Sequence, residues 1–175
     1  PNPGDPTQPF EISDAASRAP DSLRAMTWYS INCAYGRLAQ IVGLNRVVNM
    51  TYTMAKSPYL FAGQPENVRD PLQPFPALAT GANPMSPMDM ASGAQTIANG
   101  GLHMEPYYVE YIDDWRGERV YTHDDPGVQV LDRGVALQAV DVLKGVLTNG
   151  TGRRYPLNVP AAGKTGTQVN NTNAW

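Results

Sequence analysis

Lys164 sits in the run Gly163-Lys164-Thr165-Gly166-Thr167. These residue types suit the holding of an anion. An ammonium supplies a positive field, threonine hydroxyls donate hydrogen bonds, and glycine removes a side chain that would block close approach. One anion-binding device that ends in Gly-Lys-Thr is the phosphate-cradling loop, which needs a glycine five places before Gly163 and a helix after Thr165. Asn158 stands at the first place, Pro160 interrupts the segment, and Gly166 to Val169 does not read as a helix. A nucleotide site is therefore set aside. The bland alternative is a surface lysine in a Gly-Thr turn. Against it, a given Lys-Thr-Gly-Thr tetrad arises by chance in only about 0.2% of chains this long.

The second cluster is Ser30-Ile31-Asn32. A Ser-x-Asn triplet turns up in roughly every second or third chain of this size, and both residues are favoured helix N-caps. Its setting gives it weight. It interrupts two helical patterns, which would leave Ser30 and Asn32 at a tip, free to face a cleft.

Composition bounds the classes of function. The chain has 175 residues, 42% of them apolar, which suits one domain with a real core. Its net charge of −3 gives none of the basic excess of a nucleic-acid surface. Cys33 is alone, so no intrachain disulfide forms, and with the distant His103 and His123 it cannot make a standard zinc site. Cys33 reads as a small buried hydrophobe, and both histidines as surface residues. No apolar run approaches the roughly 20 residues of a membrane span, and no signal peptide is visible.

The elements that must position these residues follow from pattern and punctuation. After a Pro- and Asp-rich lead-in, Asp21 or Ser22 caps a helix from about Leu23. A second carries Tyr35, Leu38, Ile41 and Val42 and stops at Gly43, and a third runs from Leu44 to about Lys56. Six prolines make residues 57–84 an irregular connection. Ser86-Pro87 opens a helix that ends at Gly100-Gly101. Tyr107 to Ile112 and Glu118 to Thr122 predict a β-hairpin around Asp113 to Gly117. Val135 to Leu147 is an amphipathic helix with Val135, Ala139, Val142, Leu143, Val146 and Leu147 on its apolar side. A short strand follows, from about Ala162 to Val169.

Over nearly its whole length the chain resembles the penicillin-binding transpeptidase domain of class A type cell-wall synthases, within the serine penicillin-recognising enzymes. The resemblance rests on segments in the family's order. Ser22-Leu23-Arg24-Ala25 leads to Ser30-Ile31-Asn32. Leu78-Ala79-Thr80-Gly81 runs through Ser86-Pro87-Met88-Asp89-Met90-Ala91, and Ile97-Ala98-Asn99-Gly100-Gly101 continues it. Pro106-Tyr107-Tyr108-Val109, Val146 to Gly152 and Ala162 to Thr167 complete the match. It implies an α/β (α+β) fold of the β-lactamase type, with helices packed on an antiparallel sheet. It implies acyl transfer through a serine ester, the cross-linking of peptidoglycan stem peptides that end in D-Ala-D-Ala, and β-lactam antibiotics as ligands. No metal, organic cofactor or nucleic-acid partner is implied. The expected location is the extracytoplasmic face of a bacterial membrane, with the anchor outside these residues.

The resemblance also implies roles. Ser30 passes a proton towards the leaving amine, and Asn32 hydrogen-bonds the acyl side of the substrate. Lys164 keeps Ser30 and the substrate carboxylate in a positive field. Thr165 and Thr167 bind that carboxylate, Gly166 lets the peptide approach, and the Thr167 backbone N–H forms half of an oxyanion hole. The family's nucleophile is the serine of a Ser-x-x-Lys tetrad, and none occurs here. Thr53-Met54-Ala55-Lys56 has the spacing with the wrong nucleophile on the wrong side of Ser30. The expectation is therefore an internal, inactive portion, residues 1–175, of a transpeptidase domain, with the nucleophile upstream and the final strands downstream. Two rivals stay open: a D,D-carboxypeptidase or β-lactamase of the same fold, and a degenerate non-catalytic penicillin sensor.

Overall fold

The computed structural model describes residues 11–14, 18–55, 72–154 and 156–167. The chain forms two compact units. One comprises Pro1–Asn49, Asp70–Pro84 and Gln138–Trp175; the other comprises Met50–Arg69 and Met85–Leu137.

In the first unit, α1 (Leu23–Trp28) begins where the Ser22 side chain accepts a hydrogen bond from the Ala25 N–H. This satisfies one of the donors that a helix start leaves unpaired. Asp21, the other predicted cap, instead accepts from the Ser22 N–H at 2.6 Å and pairs with Arg18 at 3.1 Å. α2 (Asn32–Val42) stops at Gly43, whose φ of 101° suits glycine, and α3 (Leu44–Ala55) follows at once, with its residues from Met50 on in the second unit. The irregular connection expected over 57–84 needs correction in its described part, because Pro76–Thr80 forms a 3-10 helix. Pro76 fits its first position, and Gly81 closes it in the left-handed region at φ 85°. Ala77 in this helix is fully buried, and the helix packs on α2.

α5 (Arg133–Thr148) starts two residues earlier than its periodicity suggests, with the Asp132 carboxylate accepting from the Val135 N–H at 3.1 Å. Val135 is 54% exposed, contrary to the expected apolar side, and Ala136 takes the buried place instead. Val146 near the other end is fully buried. Residues 138–148 of α5 belong to the first unit.

In the second unit, α4 (Pro87–Ala98) is capped by Ser86. Its hydroxyl accepts from the Asp89 N–H at 3.1 Å and donates to the buried Asp89 carboxylate at 2.5 Å. β1 (Leu102–His103) pairs antiparallel with β4 (Val128–Gln129), and β2 (Tyr111–Asp113) pairs antiparallel with β3 (Arg119–Thr122). Only the last residues of the predicted strand Tyr107 to Ile112 pair. β1 and β4 have two residues each, too short for any alternation to be read. His103 is in β1 and buried, not a surface residue as expected. Its Nδ1 is 2.9 Å from the Thr96 hydroxyl, which also donates to the Met54 carbonyl at 2.8 Å. His123 is half-buried and stacks on Tyr107, with ring centroids 3.8 Å apart.

The strand expected over Ala162 to Val169 is reduced to an isolated bridge at Thr167. Residues 161–166 carry no ladder, and 168–169 lie outside the described residues.

Candidate active site

A cleft of about 370 Å³ in the first unit brings together the six candidate site residues. Ser30, Asn32, Lys164, Thr165, Gly166 and Thr167 all line it. The Lys164 ammonium donates to the Ser30 hydroxyl at 2.7 Å, across 134 residues of sequence, and to the Thr165 carbonyl at 2.7 Å.

Ser30 is placed by the way α1 ends. The Ser30 N–H donates to the Thr27 carbonyl at 3.2 Å, and the Ile31 N–H donates to the Met26 carbonyl at 3.0 Å. That pair of bonds is the Schellman closure, which puts the residue after the cap into the left-handed region. Ser30 has φ 57°, the one positive φ at a non-glycine residue among those described. Glycine is the usual occupant of such a position, and an L-residue there costs roughly 1–2 kcal/mol. Met26 and Ile31 are both buried, which fixes the closure from beneath. The capping explanation of Ser30 and Asn32 thus fails in its original form. Ile31 is the N-cap residue of α2 and makes no side-chain cap.

The cap of α2 comes from outside the triplet. The Asp14 carboxylate accepts from the Cys33 N–H at 3.0 Å, and the Asn32 side-chain amide donates to the Ser13 carbonyl at 3.0 Å. Cys33 is exposed rather than buried as expected, and its thiol donates to the Ile12 carbonyl at 3.1 Å. Its hydrogen bond to Asp14, with some desolvation, pushes the thiol pKa above the ordinary 9.0. Cys33 therefore stays a neutral thiol that ties residues 12–14 to α2. On the cleft wall, the Thr27 hydroxyl donates to the Leu23 carbonyl at 2.8 Å and bonds to the Tyr35 hydroxyl.

α5 holds the two halves of the site. The Trp28 indole N–H donates to the Val142 carbonyl at 2.9 Å, and the Gly163 N–H donates to the Leu143 carbonyl at 3.3 Å. Just past α5, the Thr151 N–H donates to the Trp28 carbonyl at 3.0 Å, and the Thr151 hydroxyl lies 2.6 Å from that of Thr165. Sequence reasoning assigned no role to Asp14, Trp28, Tyr35 or Thr151. The Gly150-Thr151-Gly152 stretch was visible, but nothing local showed which side chains it would meet.

Lys164 is exposed as a residue, while its ammonium is drawn into the cleft. Desolvation lowers its pKa below the ordinary 10.5, because burial disfavours the charged form.

A serine bonded to a lysine on a cleft wall, beside two threonines and a glycine, gathers groups able to move a proton and to donate hydrogen bonds to an anion. The model of the penicillin-binding protein transpeptidase domain family matches residues 2–174, and the chain belongs to that family. It is 30% identical over 155 residues to penicillin-binding protein 1A of Aquifex aeolicus, covering 88% of this chain and 20% of that protein. Among solved structures it is similar to the D,D-transpeptidase domain of a peptidoglycan glycosyltransferase from Eggerthella lenta. That match has a TM-score of 0.74 at 25% identity, over 93% of this chain and 46% of that one. It also shares the fold of penicillin-binding protein A from M. tuberculosis, solved as an imipenem acyl-enzyme complex. There the TM-score is 0.73 at 21% identity, over 94% of this chain and 41% of the other. The α/β transpeptidase fold is thereby established, and the chain spans a fifth of the length of its Aquifex relative.

Proposed function

We propose that this chain is the part of a peptidoglycan D,D-transpeptidase that carries the proton relay and the carboxylate site, and that the nucleophilic serine belongs to a Ser-x-x-Lys tetrad upstream. The observation that carries this reading is the 2.7 Å bond from Lys164 to Ser30. In the reaction, the nucleophile's oxygen attacks the penultimate D-Ala carbonyl, and the Thr167 N–H donates to the developing oxyanion. The C–N bond breaks, and the terminal D-Ala leaves as an amine with a proton delivered through Ser30. The amine of a second stem peptide then attacks the ester and releases the serine. Lys164 holds the Ser30 oxygen and adds positive field for the substrate carboxylate, which Thr165 and Thr167 bind. Asn32 contacts the acyl side by exchanging Ser13 for substrate. β-Lactams, as mimics of this peptide, acylate the same serine. The protein acts at the extracytoplasmic face of the bacterial membrane, anchored outside this chain.

The test is Ser30→Gly in the full-length protein, followed by acylation kinetics with a β-lactam. Loss of a proton relay slows acylation by about 100- to 10,000-fold. Stability should stay within about 1 kcal/mol of wild type, because relief of the left-handed strain offsets the greater freedom of glycine in the unfolded chain. Wild-type acylation by this variant removes Ser30 from the mechanism.

A further inference from the structure

We propose that Thr151 is a positioning residue that sets the direction of the Thr165 hydroxyl and so tunes the site for a carboxylate. This deepens the function proposed above and rests on it. Thr151 reaches two parts of the site at once. Its backbone N–H donates to the carbonyl of Trp28, two residues before Ser30, at 3.0 Å, and its hydroxyl lies 2.6 Å from the Thr165 hydroxyl. The glycine before it permits this approach, since a Cβ on Gly150 would fall 2.1 Å from the Trp28 carbonyl oxygen. The glycine after it is less constrained, since a Cβ on Gly152 would lie 2.7 Å from the movable Leu147 Cδ2 and 3.2 Å from the Val146 carbonyl oxygen. Gly150-Thr151-Gly152 therefore places one threonine hydroxyl against another.

The consequence is a matter of proton count. A threonine hydroxyl has one hydrogen to donate and lone pairs to accept with. When the Thr151 hydroxyl donates to Thr165, the Thr165 oxygen is satisfied as an acceptor and its own hydrogen is left for the cleft. The Thr165 carbonyl is already engaged by Lys164 at 2.7 Å, which fixes the backbone that carries this hydroxyl. An anion in the cleft then meets a donor that cannot turn to present a lone pair. Without Thr151, the Thr165 hydroxyl rotates freely and part of its population points an oxygen at the anion.

The experiment compares acylation of the full-length protein by benzylpenicillin and by its carboxyl methyl ester. Thr151→Val keeps the shape and the backbone bond to Trp28 but removes the hydroxyl. It should slow acylation by the acid about tenfold, the worth of one hydrogen bond to a charged group, and leave the ester rate unchanged. Thr151→Ser should keep the wild-type ratio of acid to ester. If the valine variant does not fold, Thr151→Ala is read in the same way. Equal loss on acid and ester, or no loss on the acid, overturns the positioning role while leaving the transpeptidase reading intact. A wild-type protein that benzylpenicillin does not acylate overturns both.

Discussion

Ser30 holds a backbone conformation that ordinarily belongs to glycine, and its neighbour Lys164 gives up part of its hydration to reach it. Both are small costs carried by residues of the cleft, where strain and desolvation tend to collect. The lysine has a consequence for pH. Its pKa lies below 10.5 in the folded protein, so the ammonium is lost at a lower pH than on a free lysine. If its positive charge assists acylation, the rate of the full-length protein should fall on the alkaline side, with a midpoint below 10.5. Lys164→Arg, which cannot deprotonate in this range, should remove that alkaline fall even if it lowers the plateau. A pH–rate profile of β-lactam acylation checks both outcomes. An alkaline limb that persists unchanged in the arginine variant assigns it to another group. The same shift bears on stability with the opposite sense to a stabilising lysine pair. Charged Lys164 opposes folding below its folded pKa, and that opposition fades as pH rises through it towards 10.5.

At the scale of elements, α5 is the beam from which the site hangs. It anchors Trp28 through Val142 and the Lys-Thr-Gly segment through Leu143. Gly145 is the place where helix propensity and packing disagree. Alanine in a helix interior is favoured over glycine by about 1 kcal/mol. Yet a Cβ at Gly145 would sit 2.0 Å from the Trp28 indole nitrogen and 2.3 Å from its Cε2. Overpacking of this kind costs roughly 1–3 kcal/mol, so packing wins. Gly145→Ala should lower stability by up to about 2 kcal/mol, net of its better propensity, and should displace Trp28. Denaturant unfolding with tryptophan emission as the probe measures both. A stabilised variant with unchanged emission shows that α1 and α5 are less tightly fitted than this geometry requires.

At the scale of the whole molecule, the question is what these 175 residues can do by themselves. The cleft has Ser30, Lys164 and the two threonines of the Lys-Thr-Gly-Thr run, but the sequence has no Ser-x-x-Lys tetrad. In the proposed mechanism Ser30 does not substitute, because its role is to pass a proton for another hydroxyl, and an unactivated serine is a poor nucleophile. Incubation of the purified chain with a fluorescent penicillin, followed by denaturation and mass spectrometry, should find no label. A longer protein with the tetrad upstream of Pro1 should be labelled on that tetrad's serine. Stoichiometric labelling of any serine in the chain itself would show that the nucleophile has been misplaced.

Legible in the sequence were the family, the five α-helices and six of the residues that line the cleft, Ser30, Asn32 and 164–167. These depend on local matters: glycine and proline punctuation, a 3.6-residue period, and short motifs whose residue types are tied to chemistry. Gly43 and Ser86 ended and began helices where the chain said they would. Tertiary structure alone decided the rest, for reasons of distance. Nothing near residue 30 announces that Asp14 will cap α2, or that Thr151 will meet Thr165. Cys33 looked like core from its type, but exposure depends on what packs over it, and Ile12 and Asp14 meet it with a backbone carbonyl and a carboxylate. His103 looked like surface because a two-residue strand leaves no pattern, while its burial is set by Thr96 on a different element. The left-handed turn at Ser30 is the plainest case. A serine in the sequence suggests a cap, and only the closure of α1 over Met26 and Ile31 turns its hydroxyl towards a lysine 134 residues away.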